Sequence, residues 1–115
     1  MVLKAEELVP HGQKAIVFFT RGAHFRYDAK GSGSSGYWVA GEDSLADVDV
    51  VIIYLRREHT GANQVFRGQY TGWQASPRAG RKTILFSGLE DQGGTPSNWV
   101  EFGGSVWSPS FYIKY

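Results

Sequence analysis

Residues 48–57, VDVVIIYLRR, constrain the fold more than any other stretch of this chain. Read with a period of two, alternate side chains fall on opposite faces, and both faces are apolar. A strand of this kind is covered on both sides, so we expect it at the centre of a sheet or barrel. The predicted core residues are Val50, Val51, Ile52, Ile53, Tyr54 and Leu55.

The rest of the chain is predicted to add short strands separated by turns. The chain has 115 residues, which suits one domain, and no apolar run long enough for a membrane span. We therefore expect a single mainly β domain over 1–115, a small barrel of about seven strands with one or two short helices. The further strands are predicted at 14–20, 37–40, 65–74, 81–88, 98–102 and 111–115. Helices are predicted at 2–9 and 44–47, and a polar loop at 90–97.

Residues 31–36, GSGSSG, have the composition of a flexible linker. Such a run is typical of a natural disordered loop and also of a spacer introduced by an engineer. Because no packing pattern is visible in it, we predict a mobile segment that takes no part in function.

Known catalytic and metal-binding patterns are missing from the sequence. The chain has no cysteine, which excludes disulfides, thiol catalysis and cysteine-ligated zinc, and is compatible with the cytoplasm. Its three histidines lack metal-ligand spacing, so we expect no metal and no cofactor. The best enzyme candidate is His24 with Asp28, to which Glu58 can be added. His24 and Asp28 belong to residues 22–30, which fit either a strand with one polar face or a loop that carries a site. Such pairs also arise by chance, and the sequence favours a protein without catalysis.

Charge is concentrated in the middle of the chain. Residues 51–89 hold six basic residues against one acid, a net charge of +5, whereas 1–50 and 90–115 each carry −2. A basic middle between acidic ends indicates one charged face. A solvated sheet edge protected by Lys and Arg explains the same pattern.

A candidate nucleic-acid-binding face follows from period-two alternation in residues 65–74. Arg67, Gln69, Thr71 and Trp73 are predicted to share a side, where Arg and Gln can bind phosphates and base edges and Trp can stack on a base. A core position for Trp73 fits the sequence equally well. The predicted nucleic-acid-binding residues are Arg56, Arg57, Arg67, Gln69, Trp73, Arg78 and Arg81.

The aromatic residues admit two interpretations. The chain has four Trp, six Tyr and seven Phe, which favours strands. Most Trp side chains are buried, but one or two can instead line a pocket for a flat base or a sugar ring. The predicted pocket residues are Tyr37, Trp38 and Trp99.

Residues 37–90 resemble the barrel of PUA-like domains, in particular their EVE and ASCH branches. The shared features are a short turn, the Asp-led apolar strand at 49–54, a second turn, and the glycine-containing strand at 65–72. Val48 stands where those families often have Gly, and their Trp and Arg pocket pattern is not recognisable here. The resemblance implies an RNA- or modified-base-binding barrel, often without catalysis.

Three functions remain open at this point. The first is a nucleic-acid-binding domain that uses the basic, aromatic face, with no membrane partner. The second is a carbohydrate- or small-ligand-binding β-sandwich that uses Trp and Tyr rings. The third is a protein-interaction module, such as an inhibitor. Salt separates the first two, because nucleic-acid binding weakens steeply as salt rises.

Overall fold

The computed structural model describes residues 8–22, 24–56, 63–95 and 110–114. Within these residues, seven strands form one sheet, and one short helix, α1 (Glu42–Leu45), precedes the central strand. The strands are β1 (Lys14–Thr20), β2 (Phe25–Tyr27), β3 (Gly33–Trp38), β4 (Val50–Arg56), β5 (Asn63–Ala75), β6 (Lys82–Thr95) and β7 (Ser110–Lys114). The mainly β class predicted from the sequence is confirmed.

Strand β4 occupies the interior position that its sequence predicts. It pairs in parallel with β1 and antiparallel with β5. All six predicted core residues of β4 are buried, four of them with no exposed surface. The reason is the double apolar face, because each side of the strand packs into a different hydrophobic cluster.

The sheet order is β2-β3-β6-β5-β4-β1-β7, and the sheet curls strongly. Phe18 of β1 stacks on Trp38 of β3 with ring centroids 4.5 Å apart, although three strands separate β1 from β3 in the sheet. We call the side that holds Phe18, Ile53 and Phe66 the inner face. Strands β2 and β7 lie at opposite edges and do not pair in the described sheet, so closure into a barrel is not confirmed.

The opposite side of the sheet, the outer face, carries the second hydrophobic cluster. Val17, Ile52 and Val65 are completely buried there. Leu8 and Val9 pack against them, which places the residues before β1 over this face.

Residues 33–36 belong to strand β3, so the prediction of a mobile linker is wrong for them. Ser35 is fully buried and accepts a hydrogen bond from the indole nitrogen of Trp38 at 3.0 Å. A Cβ atom added to Gly33 would lie 2.7 Å from the Cα of Tyr27 in β2. At Gly36 an added Cβ would lie 2.9 Å from the hydroxyl of Thr83 in β6. The glycines are therefore required by close packing between strands.

Strand β6 is longer than predicted. Residues 90–95, expected to be a polar loop, continue the pairing with β5 up to the Asn63↔Thr95 pair. The register shifts twice near this end, and Gly88 and Gly93 adopt positive φ angles of 59° and 101°. Bulges at glycines thus let a sequence of turn-like composition remain in the sheet.

The predicted strand at 37–40 is a strand only in its first half, because β3 ends at Trp38. Other predicted elements are confirmed or lie outside the described residues. Strands at 14–20 and 111–115 and a helical turn near 44–47 correspond to β1, β7 and α1. The predicted strand at 98–102 and most of the helix at 2–9 lie outside the described residues. In the described part of the chain, no helix has the length and apolar character needed to cross a membrane.

Candidate functional site

A bulge at Thr71 divides strand β5 into two halves. Tyr70 pairs with Phe86, whereas Gly72 pairs with Leu85, so one residue of β5 has no partner in β6. Gly72 has a φ of 147°, outside the range that other residues favour. An extra residue on one strand reverses the alternation of the side chains that follow it.

Because of this bulge, Trp73 does not share a face with Arg67 and Gln69, and that part of the predicted surface is wrong. Trp73 pairs with Ile84, which is completely buried in the inner cluster. Arg67 pairs with Ile52, which belongs to the outer cluster. Partners in an antiparallel pair point to the same side, so Trp73 lies at the inner end and Arg67 on the outer face.

Arg67 and Gln69 line a cleft of about 410 Å³ on the outer face, which we call the Arg67 cleft. The Arg67 guanidinium donates a hydrogen bond from Nη1 to the carbonyl of Leu8 at 3.3 Å. Glu90 is the cross-strand partner of Arg67 and also lines the cleft. Opposite charges therefore line the same cleft without forming an ion pair among the described residues, which makes this end of β5 a poor attractor for phosphate alone.

The extension of β6 explains why the net charge of residues 51–89 did not predict the charge around β5 correctly. Glu90 and Asp91 fall just outside the basic segment 51–89, yet pairing returns them to positions beside β5. Asp91 accepts a hydrogen bond from the side-chain amide of Gln64. The positive charge of the middle segment is thus offset at one end of β5 and persists at the other.

At that other end, a second cleft of about 270 Å³ lies beside the 76–81 turn. We call it the Tyr37 cleft. Its lining combines aromatic, basic and amide groups and, among its described residues, contains no carboxylate. The residues lining it are His24, Arg26, Ser34, Tyr37, Gln74, Ala75, Pro77 and Thr83.

A stacked pair of rings forms one wall of the Tyr37 cleft. The His24 and Tyr37 rings lie 3.9 Å apart between centroids, tilted by only 22°. His24 has a φ of 58°, in the left-handed region, and its carbonyl accepts a hydrogen bond from the amide of Gly36 at 3.1 Å. His24 is exposed and Tyr37 half-buried, so the stack offers ring surface to a ligand.

Arg26 reaches the same cleft because β2 alternates. Its neighbour Phe25 turns to the inner face and packs 5.7 Å from the Phe66 ring and 6.1 Å from the Phe86 ring. Arg26 therefore points outwards and is exposed. Of the two interpretations of residues 22–30, the strand with one polar face is confirmed over Phe25–Tyr27.

The 76–81 turn adds two further arginines. Arg81 donates from Nη1 to the carbonyl of Tyr37 at 3.4 Å, which holds it beside the cleft. Ser76 anchors the turn, since its hydroxyl donates to the Arg78 carbonyl at 2.8 Å and accepts from the Arg78 amide at 3.2 Å. The Arg78 side chain is exposed. Arg81, a predicted nucleic-acid-binding residue, is thus brought to the predicted pocket residue Tyr37, and Arg78 lies three residues away in the same turn.

Trp73 lines a third cleft at the inner end, beside α1. The Lys82 ammonium lies 4.9 Å from the centroid of the Trp73 ring and donates to the carbonyl of Ala40 at 2.5 Å. Trp73 is 37% exposed, so it is not a core residue. With one cation already on its ring, it offers a smaller stacking surface than the sequence suggests.

The other predicted residues are placed as follows. Trp38 is 8% exposed and packs in the inner cluster, so the prediction that it lines a pocket is wrong. Arg56 ends β4 and is half-buried. Arg57 and Trp99 lie outside the described residues.

The sequence analysis missed Arg26 and Gln74 as site residues, and it set His24 aside as a weak catalytic candidate. The alternation of His24 and Arg26 with Phe25 and Tyr27 was the available signal. The sequence contains no such signal for Gln74, because the face of the sheet on which Gln74 lies depends on the bulge at Thr71.

Tyr70, which lines the cleft beside α1, has a perturbed phenol. Burial raises the pKa of Tyr70 above its ordinary value of 10.0, and repulsion from the Tyr112 phenolate raises it further. Burial also raises the pKa of Tyr112, an effect that the Lys14 ammonium and the Ser44 hydroxyl partly offset. Both phenols are therefore neutral near pH 7.

Within the described parts of the chain, no group of three or more His, Asp or Glu residues can hold a metal ion. No protein-family model, curated protein or solved structure matches this chain.

Proposed function

We propose that this protein binds single-stranded nucleic acid in the Tyr37 cleft and performs no catalysis there. The observation that carries the proposal is the composition of the cleft wall. Stacked rings, an exposed arginine and an amide meet there with no carboxylate among the described lining residues. Nucleic acid needs this combination, because its phosphates require cations and its bases require flat apolar surfaces.

Each group has a distinct part in the proposed complex. Arg26 and Arg81 bind phosphate oxygens, and Arg78 extends the positive surface along the 76–81 turn. The His24 and Tyr37 stack receives a base on its open ring surface. Gln74, exposed at the end of β5, supplies an amide donor and acceptor for a base edge.

The size of the cleft favours a single strand. A volume of about 270 Å³ lies just below the usual range for small-ligand pockets, which starts at about 300 Å³, and suits one base. In a duplex the bases are stacked and paired, so they cannot enter without being extruded. The PUA-like resemblance of residues 37–90 and a cytoplasmic location belong to this same proposal.

Fluorescence anisotropy with labelled oligonucleotides tests the proposal. Single-stranded and duplex probes are titrated between about 50 and 200 mM salt with wild type, Arg26→Gln and Arg81→Gln. Each variant should reduce the slope of log K against log salt by about 0.7 for the single strand. Tyr37→Leu should cost about 1–3 kcal/mol of binding and leave the slope unchanged.

Arg67→Gln is the matched control, because it removes the same charge at a separate cleft. It should leave the salt slope near that of the wild type. An equal effect of Arg67→Gln and Arg26→Gln would show that charge acts generally and that the Tyr37 cleft is not the site. Absence of oligonucleotide binding at low salt, or salt-independent binding of a sugar instead, would reject the proposal in favour of a ligand-binding or interaction module.

A further inference from the structure

The Arg67 cleft contains an opposed pair of charges that do not neutralise each other. Arg67 and Glu90 are cross-strand partners, so their Cα atoms are separated by only about 4.5–5.5 Å. Both side chains line the cleft, yet they form no ion pair with each other in the described structure. Two long side chains from neighbouring positions thus hold opposite charges apart across an open space.

The two charged groups have free bonding capacity. Arg67 spends one N–H on the Leu8 carbonyl, which fixes the guanidinium and leaves further donors for a ligand. The Glu90 carboxylate is exposed and has no hydrogen bond or ion pair in the described structure. A ligand that supplies both an anion and a cation can satisfy the two groups together.

A glycine keeps the space beside these charges open. Gly88 lines the cleft with a φ of 59°, and a Cβ added there would meet no atom within 4 Å. The backbone near Arg67 and Glu90 is therefore accessible to a small ligand.

We propose that the Arg67 cleft binds a free α-amino acid with a neutral side chain. Arg67 donates hydrogen bonds to the carboxylate from its planar N–H groups, and Glu90 accepts hydrogen bonds from the ammonium group. Val50 and Pro10 provide apolar surface for the side chain. This site lies outside the Tyr37 cleft and does not depend on nucleic-acid binding.

The opposite charges of Arg67 and Glu90 favour a zwitterion over an ion that carries charge of one sign. A phosphate or other anion would be attracted by Arg67 and repelled by Glu90, and a cation would meet the reverse. In an α-amino acid, only the Cα atom stands between the ammonium nitrogen and the carboxylate carbon. This short separation matches the charged groups of Arg67 and Glu90, which come from directly paired residues. The cleft volume of about 410 Å³ leaves room for a side chain as well.

Isothermal titration calorimetry with matched analogues tests the proposal on the full chain. The probes are L-leucine, N-acetyl-L-leucine, which lacks the ammonium, and L-leucinamide, which lacks the carboxylate. L-Leucine should bind wild type, and Arg67→Gln and Glu90→Gln should each weaken it by about tenfold or more. Glu90→Gln should not weaken N-acetyl-L-leucine, and Arg67→Gln should not weaken L-leucinamide, because each analogue already lacks the partner group.

Arg81→Gln and Glu42→Gln are charge-matched controls at other clefts and should leave L-leucine binding unchanged. L-Alanine and L-phenylalanine show how far the side chain contributes. The proposal is overturned if none of the three amino acids gives saturable binding. It is also overturned if both analogues respond to the two variants as L-leucine does.

Discussion

Replacing Gly33 with alanine tests whether the glycine- and serine-rich segment is structural. Gly33 pairs with Tyr27 at the start of β3. An added Cβ would lie against the Arg26 carbonyl oxygen, 2.8 Å from its carbonyl carbon and 2.7 Å from the Cα of Tyr27. These are backbone atoms, which cannot rotate away as the end of a side chain can, so β2 must shift as a unit.

The magnitude follows from what β2 contributes. Forcing a methyl group into a packed site costs about 1–3 kcal/mol. If β2 leaves the sheet instead, the packing of Phe25 on the Phe66 and Phe86 rings is lost, at about 0.5–1.5 kcal/mol for each ring pair. Both routes give a loss of unfolding free energy of about 1–3 kcal/mol. A flexible linker predicts the opposite sign, a gain of about 0.4–1 kcal/mol, because alanine restricts the unfolded chain.

Urea unfolding followed by tryptophan fluorescence measures this difference. Gly41→Ala is the control, since Gly41 has an ordinary φ of −80° and an added Cβ would come no closer than 3.9 Å to Ser44 Oγ. Alanine is a poorer N-cap than glycine but restricts the unfolded chain, so the two effects oppose each other and the net change should stay within about 0.5 kcal/mol. Equal or greater stability of Gly33→Ala than of the wild type would refute the assignment of this segment to packed sheet.

Three further perturbations test the core and the tyrosines. Ile52→Ala should cost about 2–5 kcal/mol in urea unfolding, because Ile52 is completely buried; a loss below 1 kcal/mol would contradict a two-sided core. Ser35→Ala should cost about 1–3 kcal/mol, because it leaves the buried Trp38 indole N–H without its acceptor. Ser35→Thr, which keeps the hydroxyl, is the control. Wild-type-like stability of Ser35→Ala would show that this hydrogen bond does not stabilise the fold. The pKa of Tyr70 and of Tyr112 is raised in the folded state, so the unfolded chain releases these protons first and stability should fall as pH rises above 10.0. Ultraviolet titration should show phenols that ionise late, and Tyr112→Phe should remove one of them.

The position of β4 at the centre of the sheet could be predicted from the residues of that strand alone. Six consecutive apolar residues, with both faces apolar, admit only a position covered on two sides. Strand β1, Lys14–Thr20, has the same character and was predicted with the same bounds. Side-chain chemistry alone decides the burial of such strands.

The glycine-rich segment could not be predicted for a physical reason. Glycine is favoured in mobile linkers and also where two backbones approach too closely for a Cβ. Only the position of the Arg26 carbonyl beside Gly33 distinguishes the two cases. That contact is made between strands, and a single sequence does not contain it.

The candidate site could be predicted only in part, because the placement of its residues also depends on contacts between strands. Alternation placed Arg67 and Gln69 on one side, which the structure bears out, but it failed beyond the bulge at Thr71. The charge count failed at Glu90, because β6 continues past the end of the basic segment. Bulges and strand lengths depend on the neighbouring strand, so the Tyr37 cleft becomes visible only in three dimensions.

Chemical-shift mapping by NMR tests the central claim most directly. A short single-stranded oligonucleotide is titrated into ¹⁵N-labelled protein at low salt, and backbone amide shifts are followed. We predict that the largest changes fall at 24–26, 34–37 and 74–83, around the Tyr37 cleft, and that 67–69 and 88–90 move little. Changes centred on 67–69 and 88–90, or no saturable change at any amide, would contradict the assignment of nucleic-acid binding to the Tyr37 cleft.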